Sequence, residues 1–336
     1  MQFQLRRSGK LSWSKFGKAI KSNKVLNPNR VRKYTYFCHM KKWIAAARLR
    51  TLPLSISGII LGSLIALSER YWSWSIFILA FLTTLFLQVL SNYANDYGDG
   101  IRGTDAERIG EKRAVASGEI SPKQMKNAVI LFGILSAITA FLLIFISFRE
   151  DFLWALLFIF LTFACIWAAI RYTVGKSAYG YAGMGDIFVF VFFGIISVWG
   201  SYTLYQHQTI HLSIFLPASA IGLLSTAVLN LNNMRDIETD RKAGKLTLPL
   251  RMGFVNAKIY QTILIIVPFI LIIAYLFEIE KTEWFRFSFS VLLIPAAIFL
   301  KTLYKTTEPQ LLDKELKKVA LLTLAFSLIL GVGLIF

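Results

Sequence analysis

The chain has 336 residues, of which 56% are hydrophobic and 17% charged, whereas a soluble domain is about 45–50% apolar with about 25% charge. The apolar excess is gathered into runs of the roughly 20 residues that crossing a bilayer needs, which excludes an ordinary soluble fold. Lys and Arg outnumber Asp and Glu by 37 to 19, a formal net charge of +18, yet no recognised motif or single basic face accompanies that charge, so no nucleic-acid partner is expected.

Two cysteines, Cys38 and Cys165, lie far apart and form neither a disulfide framework nor a metal-spacing motif. The three histidines, His39, His207 and His211, lie outside the acidic segments, which argues against histidine catalysis and against zinc.

Residues 1–39 are basic, with Arg6, Arg7, Lys10, Lys15 and six further Lys or Arg, and contain neither an acid nor a long apolar run. They lack the apolar core of a secretory signal. Two readings are open: a basic arm lying on anionic lipid, or an extension foreign to a domain that starts at Met40. The second is preferred, and the domain expected is 40–336.

Nine apolar spans follow, near 52–68, 72–96, 122–148, 151–171, 184–205, 212–234, 254–278, 284–304 and 317–336. Pro53, Pro217, Pro268 and Pro295 fall within them, as membrane helices allow. The expected fold is therefore all-α, a nine-helix polytopic membrane protein. The connections 97–121, 172–183, 235–253 and 305–316 carry most of the Lys and Arg, while the alternate connections are short and poor in them. The positive-inside rule then places the first set in the cytoplasm and the C-terminus outside; the membrane expected is a cytoplasmic (inner) one.

Two polar runs interrupt this pattern. Ser91–Gly118 follows the second span, and within it Asn92, Asp96 and Asp99 stand at i, i+4 and i+7, sharing one face if helical. Asn232–Arg251 follows the sixth span, with Asn232, Asp236 and Asp240 at i, i+4 and i+8. Both runs lead into a basic loop and a further span, which suggests an internal repeat whose halves meet at one site. A single polar loop bearing acids is often only solvated. Two matching clusters at the ends of apolar helices point to a site, because intramembrane carboxylates are costly without a cationic partner.

Asp with neighbouring Asn suits Mg2+, which is held by one or two carboxylates together with phosphates and waters. Arg102, Lys112 and Arg113 follow the first cluster, and Arg241, Lys245 and Arg251 the second. Carboxylate, Mg2+ and Arg or Lys make a diphosphate clamp, and one embedded in a membrane points to a lipid diphosphate. Departure of diphosphate from an allylic carbon would be stabilised there, with the allylic cation kept from water. In the connection 171–186, Lys176 is placed to reach a diphosphate or an acceptor carboxylate. Tyr172, Tyr179 and Tyr181 suit an aromatic acceptor pocket or simply the interface, and Asp186 is functional or salt-bridged. The arginines of RLRTLP (48–53) are read as snorkelling to the interface.

These stretches match a known pattern. NDYGDGIRGTD (95–105) with DIETDRKAGKLTLPLRMG (236–253) resembles the UbiA superfamily of intramembrane aromatic prenyltransferases, most closely its 1,4-dihydroxy-2-naphthoate branch. ARLRTLPLS (47–55), RAVASGEISPKQM (113–125), YAGMGDIFVFVFFG (181–194) and LNNMRDIETDRKAGK (231–245) extend the match, which covers 40–336. The resemblance implies nine helices around a central cavity and Mg2+ dependence. Asn92, Asp96, Asp99, Asp236 and Asp240 would hold the metal, the four aspartates being catalytic. It places Arg113 and Lys245 on the diphosphate, joined by Lys112 and Arg102. Lys176, Tyr179 and Asp186 are candidates for the acceptor. The superfamily's first motif would put its last Asp at Gly103; here the next acid is Asp105, two positions late. The implied reaction joins a polyprenyl diphosphate to 1,4-dihydroxy-2-naphthoate, giving demethylmenaquinone, diphosphate and CO2. The alternatives are a sibling enzyme using 4-hydroxybenzoate, homogentisate or haem, and an ion-coupled transporter.

Overall fold

The structure, a computed structural model, describes residues 40–103, 113–175, 178–207 and 211–336. The chain divides into two compact units, Met1–Trp43 and Ile44–Phe336. The expected basic extension 1–39 lies outside the described residues, as do Asp105, Lys112 and Lys176. Residues 40–43 of the first unit are helical.

Among its described residues the second unit consists of helices and the turns that join them, with no strand. Its membrane helices are α1 (Leu52–Ser68), α2 (Trp74–Arg102), α3 (Pro122–Ser147), α4 (Phe152–Arg171), α5 (Gly185–Thr203), α6 (Phe215–Arg235), α7 (Leu248–Glu278), α8 (Leu293–Lys305) and α9 (Asp313–Ile335). Nine helices among the described residues are long and apolar enough to span a membrane. This is the number expected from hydropathy.

Boundaries differ most where function was expected. α2 does not stop at residue 96 but continues to Arg102, so the first polar run is itself helical as far as Gly103. α6 stops at Arg235, and Asp236 (φ −93°, ψ 9°) turns the chain into a short helix, Ile237–Lys242. The second run is therefore not one continuous helix, and its i, i+4, i+8 spacing does not describe a single face.

α6 is the most enclosed helix and α4 the most lipid-facing: 61% of the spanning window is buried in the first and 6% in the second. α6 packs against α5, α7 and α9, α1 packs against α5 and α9, and α2 against α3 and α4. Small residues make this possible. Ala218, Ala220, Gly222, Ser225 and Ala227 line α6 and are fully buried or nearly so. Without a hydrophobic driving force between helices in lipid, close approach by small residues and the contacts it allows hold the bundle together. At the α5–α6 crossing, a Cβ on Gly194 would lie 2.6 Å from the Ala218 carbonyl oxygen and would overlap Gly222. At the α1–α5 crossing, a Cβ on Gly62 would lie 2.8 Å from the Ser201 Cβ. α5 itself widens into a π-helical stretch, Phe190–Ile196, a feature that recurs at functional sites.

Gly194→Leu is expected to lower the thermal unfolding midpoint in detergent sharply, because backbone rather than side chain stands in the way and overpacking alone costs about 1–3 kcal/mol. Gly133→Ala, where a Cβ meets nothing within 4 Å, is the control and should leave it unchanged. Equal midpoints for the two variants would contradict the close crossing.

Candidate active site

A cavity of about 350 Å3 opens between α1, α2, α4, α5, α6 and α9. Along α2 it is faced by Gln88, Asn92, Asn95 and Asp99, spaced i, i+4, i+7 and i+11 and hence on one stripe of the helix. Asn232 and Lys245 of the second run line the same cavity. The two polar runs thus converge on one space.

Asp96 stands one residue round from that stripe and is not among the lining residues. Its carboxylate accepts the backbone N–H groups of Ala114 and Val115, both at 3.0 Å, successive amides of the kind that cradle an anion. This contact anchors the segment that carries Arg113. Arg113 is itself buried and donates to Asp99 Oδ2 at 3.1 Å, while Tyr181 donates to Asp99 Oδ1 at 2.8 Å. Asp96 therefore sets the place of Arg113, and Arg113 meets Asp99. Asn92 donates to the Ala47 carbonyl at 2.8 Å, which fastens α2 to the turn ahead of α1.

In the second run, Arg235 holds Asp236 through both carboxylate oxygens at 2.7 Å and Asn232 Oδ1 at 2.8 Å. Beyond the short helix, Gly244 at φ +68° reverses the chain in a backbone conformation that only glycine adopts freely. Lys245 N then donates to the Asp240 carbonyl at 2.9 Å, and Lys245 Nζ lies 3.6 Å from Asp240 Oδ1. Asp99, Asp236 and Asp240 are each less than a tenth exposed.

The remaining candidates are distributed unevenly. Tyr179 lines the cavity, donates to the Ala168 carbonyl at 2.8 Å and stacks on Phe188 at 3.8 Å. Tyr172 also lines it, within electrostatic reach of Lys245, Asp240, Asp186 and Asp99. Burial pushes both phenols above their ordinary value, so each is an O–H donor. Asp186 is buried outside the cavity lining, where Tyr260 donates to its Oδ2 at 3.2 Å. Arg102 is exposed, lies over the Tyr181 ring at 4.2 Å and bonds the Gly175 carbonyl. Arg241 is paired with Glu238 at 3.5 Å on the surface.

Several lining residues were not singled out from sequence. Arg48 and Arg50, read from sequence only as interfacial, both line the cavity, and Arg48 adopts a left-handed backbone (φ 49°, ψ 57°), which costs a non-glycine residue roughly 1–2 kcal/mol. Strain of this kind clusters at functional sites. Gln88 links α1 and α2, accepting from Ser55 Oγ at 2.5 Å and donating to Thr51 Oγ1 at 2.8 Å. The spacing of Gln88, one turn ahead of Asn92 in an otherwise apolar helix, was the available signal. Arg235 was visible only as a basic loop residue.

The lining is of two kinds. Asp99, Arg113, Asn92, Asn232 and Lys245 present oxygen donors and cations, while Cys165, Ala168, Phe188, Phe192, Phe193 and Ile196 are apolar or weakly polar. Among the described residues no three acidic, His or Cys side chains gather as a closed metal cage. Of the four aspartates only Asp99 lines the cavity, beside the amides of Asn92, Asn95 and Asn232; an oxygen-donor set with Arg and Lys at hand suits Mg2+ held jointly with substrate phosphates and does not suit zinc.

Comparison with known proteins agrees with this geometry. Residues 55–334 match the UbiA prenyltransferase family. A 1,4-dihydroxy-2-naphthoate octaprenyltransferase of Haemophilus influenzae is 40% identical over 306 residues, 88% of this chain and 96% of that protein. Among solved structures, the apo structure of a UbiA homolog from Aeropyrum pernix superposes with a TM-score of 0.62 at 16% identity, covering 84% of this chain and 96% of that one. A UbiA homolog from Archaeoglobus fulgidus bound to GPP and Mg2+ gives 0.57 at 18% identity, covering 84% and 99%. The chain belongs to the UbiA prenyltransferase family and is a multi-pass membrane prenyltransferase.

Proposed function

We propose that this cavity transfers a polyprenyl group from polyprenyl diphosphate to 1,4-dihydroxy-2-naphthoate, with loss of diphosphate and CO2. The observation that carries the reading is the convergence of both polar runs on one cavity that is also lined by apolar residues of α4 and α5. A diphosphate and a polyprenyl chain need those two environments side by side. The acceptor is argued from the name carried by the Haemophilus influenzae relative, over nearly the whole of both chains.

Asn92, Asp96, Asp99, Asp236 and Asp240 are the residues that would hold Mg2+, with Asp96 acting chiefly through the segment it anchors. When bound, the ion neutralises charge on the departing diphosphate. Arg113 and Lys245, now on Asp99 and Asp240, are placed to turn to phosphate oxygens as that charge develops. Such preorganised cations contribute most where water is excluded. Arg102, exposed at the end of α2, would add positive charge, as would Lys112 and Lys176, which lie outside the described residues. The C–O bond to diphosphate breaks first. The ring carbon bearing the carboxylate then forms the new C–C bond, and CO2 leaves with its bonding pair returning to the ring. The immediate product is the prenylated naphthoquinol, the reduced form of demethylmenaquinone, so no oxidant is required. Tyr172 and Tyr179 offer O–H groups and ring faces to the acceptor, and Phe188, Phe192 and Phe193 offer π-faces to the cation. Arg48, held at the cavity by its strained turn, is the counter-charge for the acceptor carboxylate. Asp186 contributes by holding α5 to α7 through Tyr260. The positive-inside bias supports a cytoplasmic facing for the charged residues of the cavity, in the inner membrane that this reading assigns.

Three measurements test this. In membranes supplied with Mg2+ and a polyprenyl diphosphate, dihydroxynaphthoate is expected to give a prenylated naphthoquinol by mass spectrometry and 4-hydroxybenzoate nothing. Product from 4-hydroxybenzoate alone would overturn the acceptor. Asp99→Asn and Asp240→Asn should each lower kcat on the order of 10²–10³-fold, the loss typical of one electrostatic contact to developing charge, and a chelator should abolish turnover until Mg2+ is restored. Full activity in either variant would remove that carboxylate from the site. Arg48→Gly suits the left-handed backbone and deletes only the side chain. Losing a charged hydrogen bond of about 1.5–3 kcal/mol, it should raise the acceptor KM roughly 10- to 100-fold while leaving that for prenyl diphosphate unchanged. A rise in the diphosphate KM instead would reassign Arg48.

A further inference from the structure

Arg235 has a partner outside both polar runs. Its guanidinium, 1% exposed, donates through Nη1 to Asp313 Oδ1 at 2.6 Å, while its other donors hold Asp236 and Asn232. Asp313 opens α9, 78 residues further along the chain. It is also met by Arg50 Nη1 at 3.5 Å, and Arg50 lines the cavity. Two arginines and two aspartates therefore form a chain, Arg50–Asp313–Arg235–Asp236, in which the formal charges cancel and whose last member belongs to the second polar run.

We infer that Asp313 is a positioning residue for the metal-binding carboxylates: it shares the charge of Arg235 and so leaves the Asp236 carboxylate less fully neutralised and open to a divalent cation. This rests on the prenyl-transfer site proposed above. A guanidinium bound to Asp236 alone would spend its whole charge there and compete with any cation for that carboxylate. A second carboxylate on the far side of the same planar fork draws part of that field away, and the fork geometry fixes Asp236 and Asn232 in one orientation. Asp313 is positioned to do this without touching substrate. Its side chain is 37% exposed, and asparagine has the same shape and still accepts from Arg235, so the variant is expected to fold.

The test uses the full chain in detergent or nanodiscs, with Mn2+ as the probe and inorganic diphosphate present, free Mn2+ being read by electron paramagnetic resonance. Asp313→Asn leaves the four-residue chain with a net positive charge and should weaken Mn2+ binding on the order of tenfold, the effect of about 1.4 kcal/mol. Its unfolding midpoint should stay unchanged, its turnover should recover at high Mg2+, and Asp313→Glu should restore the affinity. Arg50→Gln leaves a net negative charge and should shift Mn2+ affinity the opposite way, which a merely structural role would not do. Mn2+ affinity within twofold of wild type in Asp313→Asn, or a weakened affinity in Arg50→Gln, would overturn the inference while leaving the site standing. Failure of the wild-type protein to bind Mn2+ with diphosphate at all would instead overturn the site, and the inference with it.

Discussion

The structure depends on neutralising carboxylates that apolar helices carry into a membrane bundle. Asp96, Asp99, Asp186, Asp236 and Asp240 are all less than a tenth exposed, and an uncompensated aspartate at the centre of a membrane helix costs about 2.5–3.5 kcal/mol even on insertion scales. Each is answered differently: Asp96 by two backbone amides, Asp99 by Arg113 and Tyr181, Asp186 by Tyr260, Asp236 by Arg235, and Asp240 by Lys245. The partners come mostly from loops and from distant helices, so satisfying these charges also fixes where the loops lie. Charge balance and loop order are one requirement here.

That requirement bears on how a site of this kind would take up substrate. The cations that neutralise Asp99 and Asp240 are Arg113 and Lys245, the groups suited to phosphate oxygens. Were a divalent cation to arrive with a diphosphate, Asp99 and Asp240 would be the carboxylates to hold it and Arg113 and Lys245 the groups to meet the phosphates, so that each buried charge would keep a partner. Either ion alone would leave its own excess charge in the cavity, and burying an unmatched charge is expensive.

How much of this was readable from the chain follows from the range of each interaction. Nine spans, two polar runs and the pairing of carboxylates with nearby Arg and Lys are local in sequence, and periodicity and spacing reveal them. Gln88, Asn95 and Asp99 share a stripe with Asn92 that helical spacing alone could have supplied, once α2 was taken beyond residue 96. The break at Asp236 was less accessible, because no glycine or proline marks it and the turn is made within a bonded polar cluster. The roles of Asp313 and Arg50 were not readable at all. Asp313 opens its helix as an ordinary first-turn acid that favours the helix dipole, and only tertiary packing brings it to Arg235. The arginines of 48–50 failed for a related reason: a snorkelling arginine and one turned inward by a left-handed residue have the same composition.

The loop between α4 and α5 is bonded to both polar runs and so helps to fix their separation. Thr173 donates to the Ala94 carbonyl at 3.1 Å and to Asn95 Oδ1 at 3.2 Å, which ties that loop to the first run. At its other end the Tyr181 carbonyl accepts Leu246 N at 3.0 Å, and the Ala182 carbonyl accepts Arg251 at 2.9 Å, which ties it to the second. Tyr181 closes the circuit by donating to Asp99. Helix crossings in lipid rely on dispersion and close approach and admit small slides, whereas hydrogen bonds fix position to within a few tenths of an ångström. A site that must hold two carboxylate clusters at one separation is therefore better defined by a short bonded strap than by the bundle alone. The Tyr- and Gly-rich composition of 172–183 answers that need: tyrosines supply long polar reach, and glycines such as Gly180, whose Cβ would meet the Tyr172 carbonyl at 2.6 Å, let the strap fold back on itself.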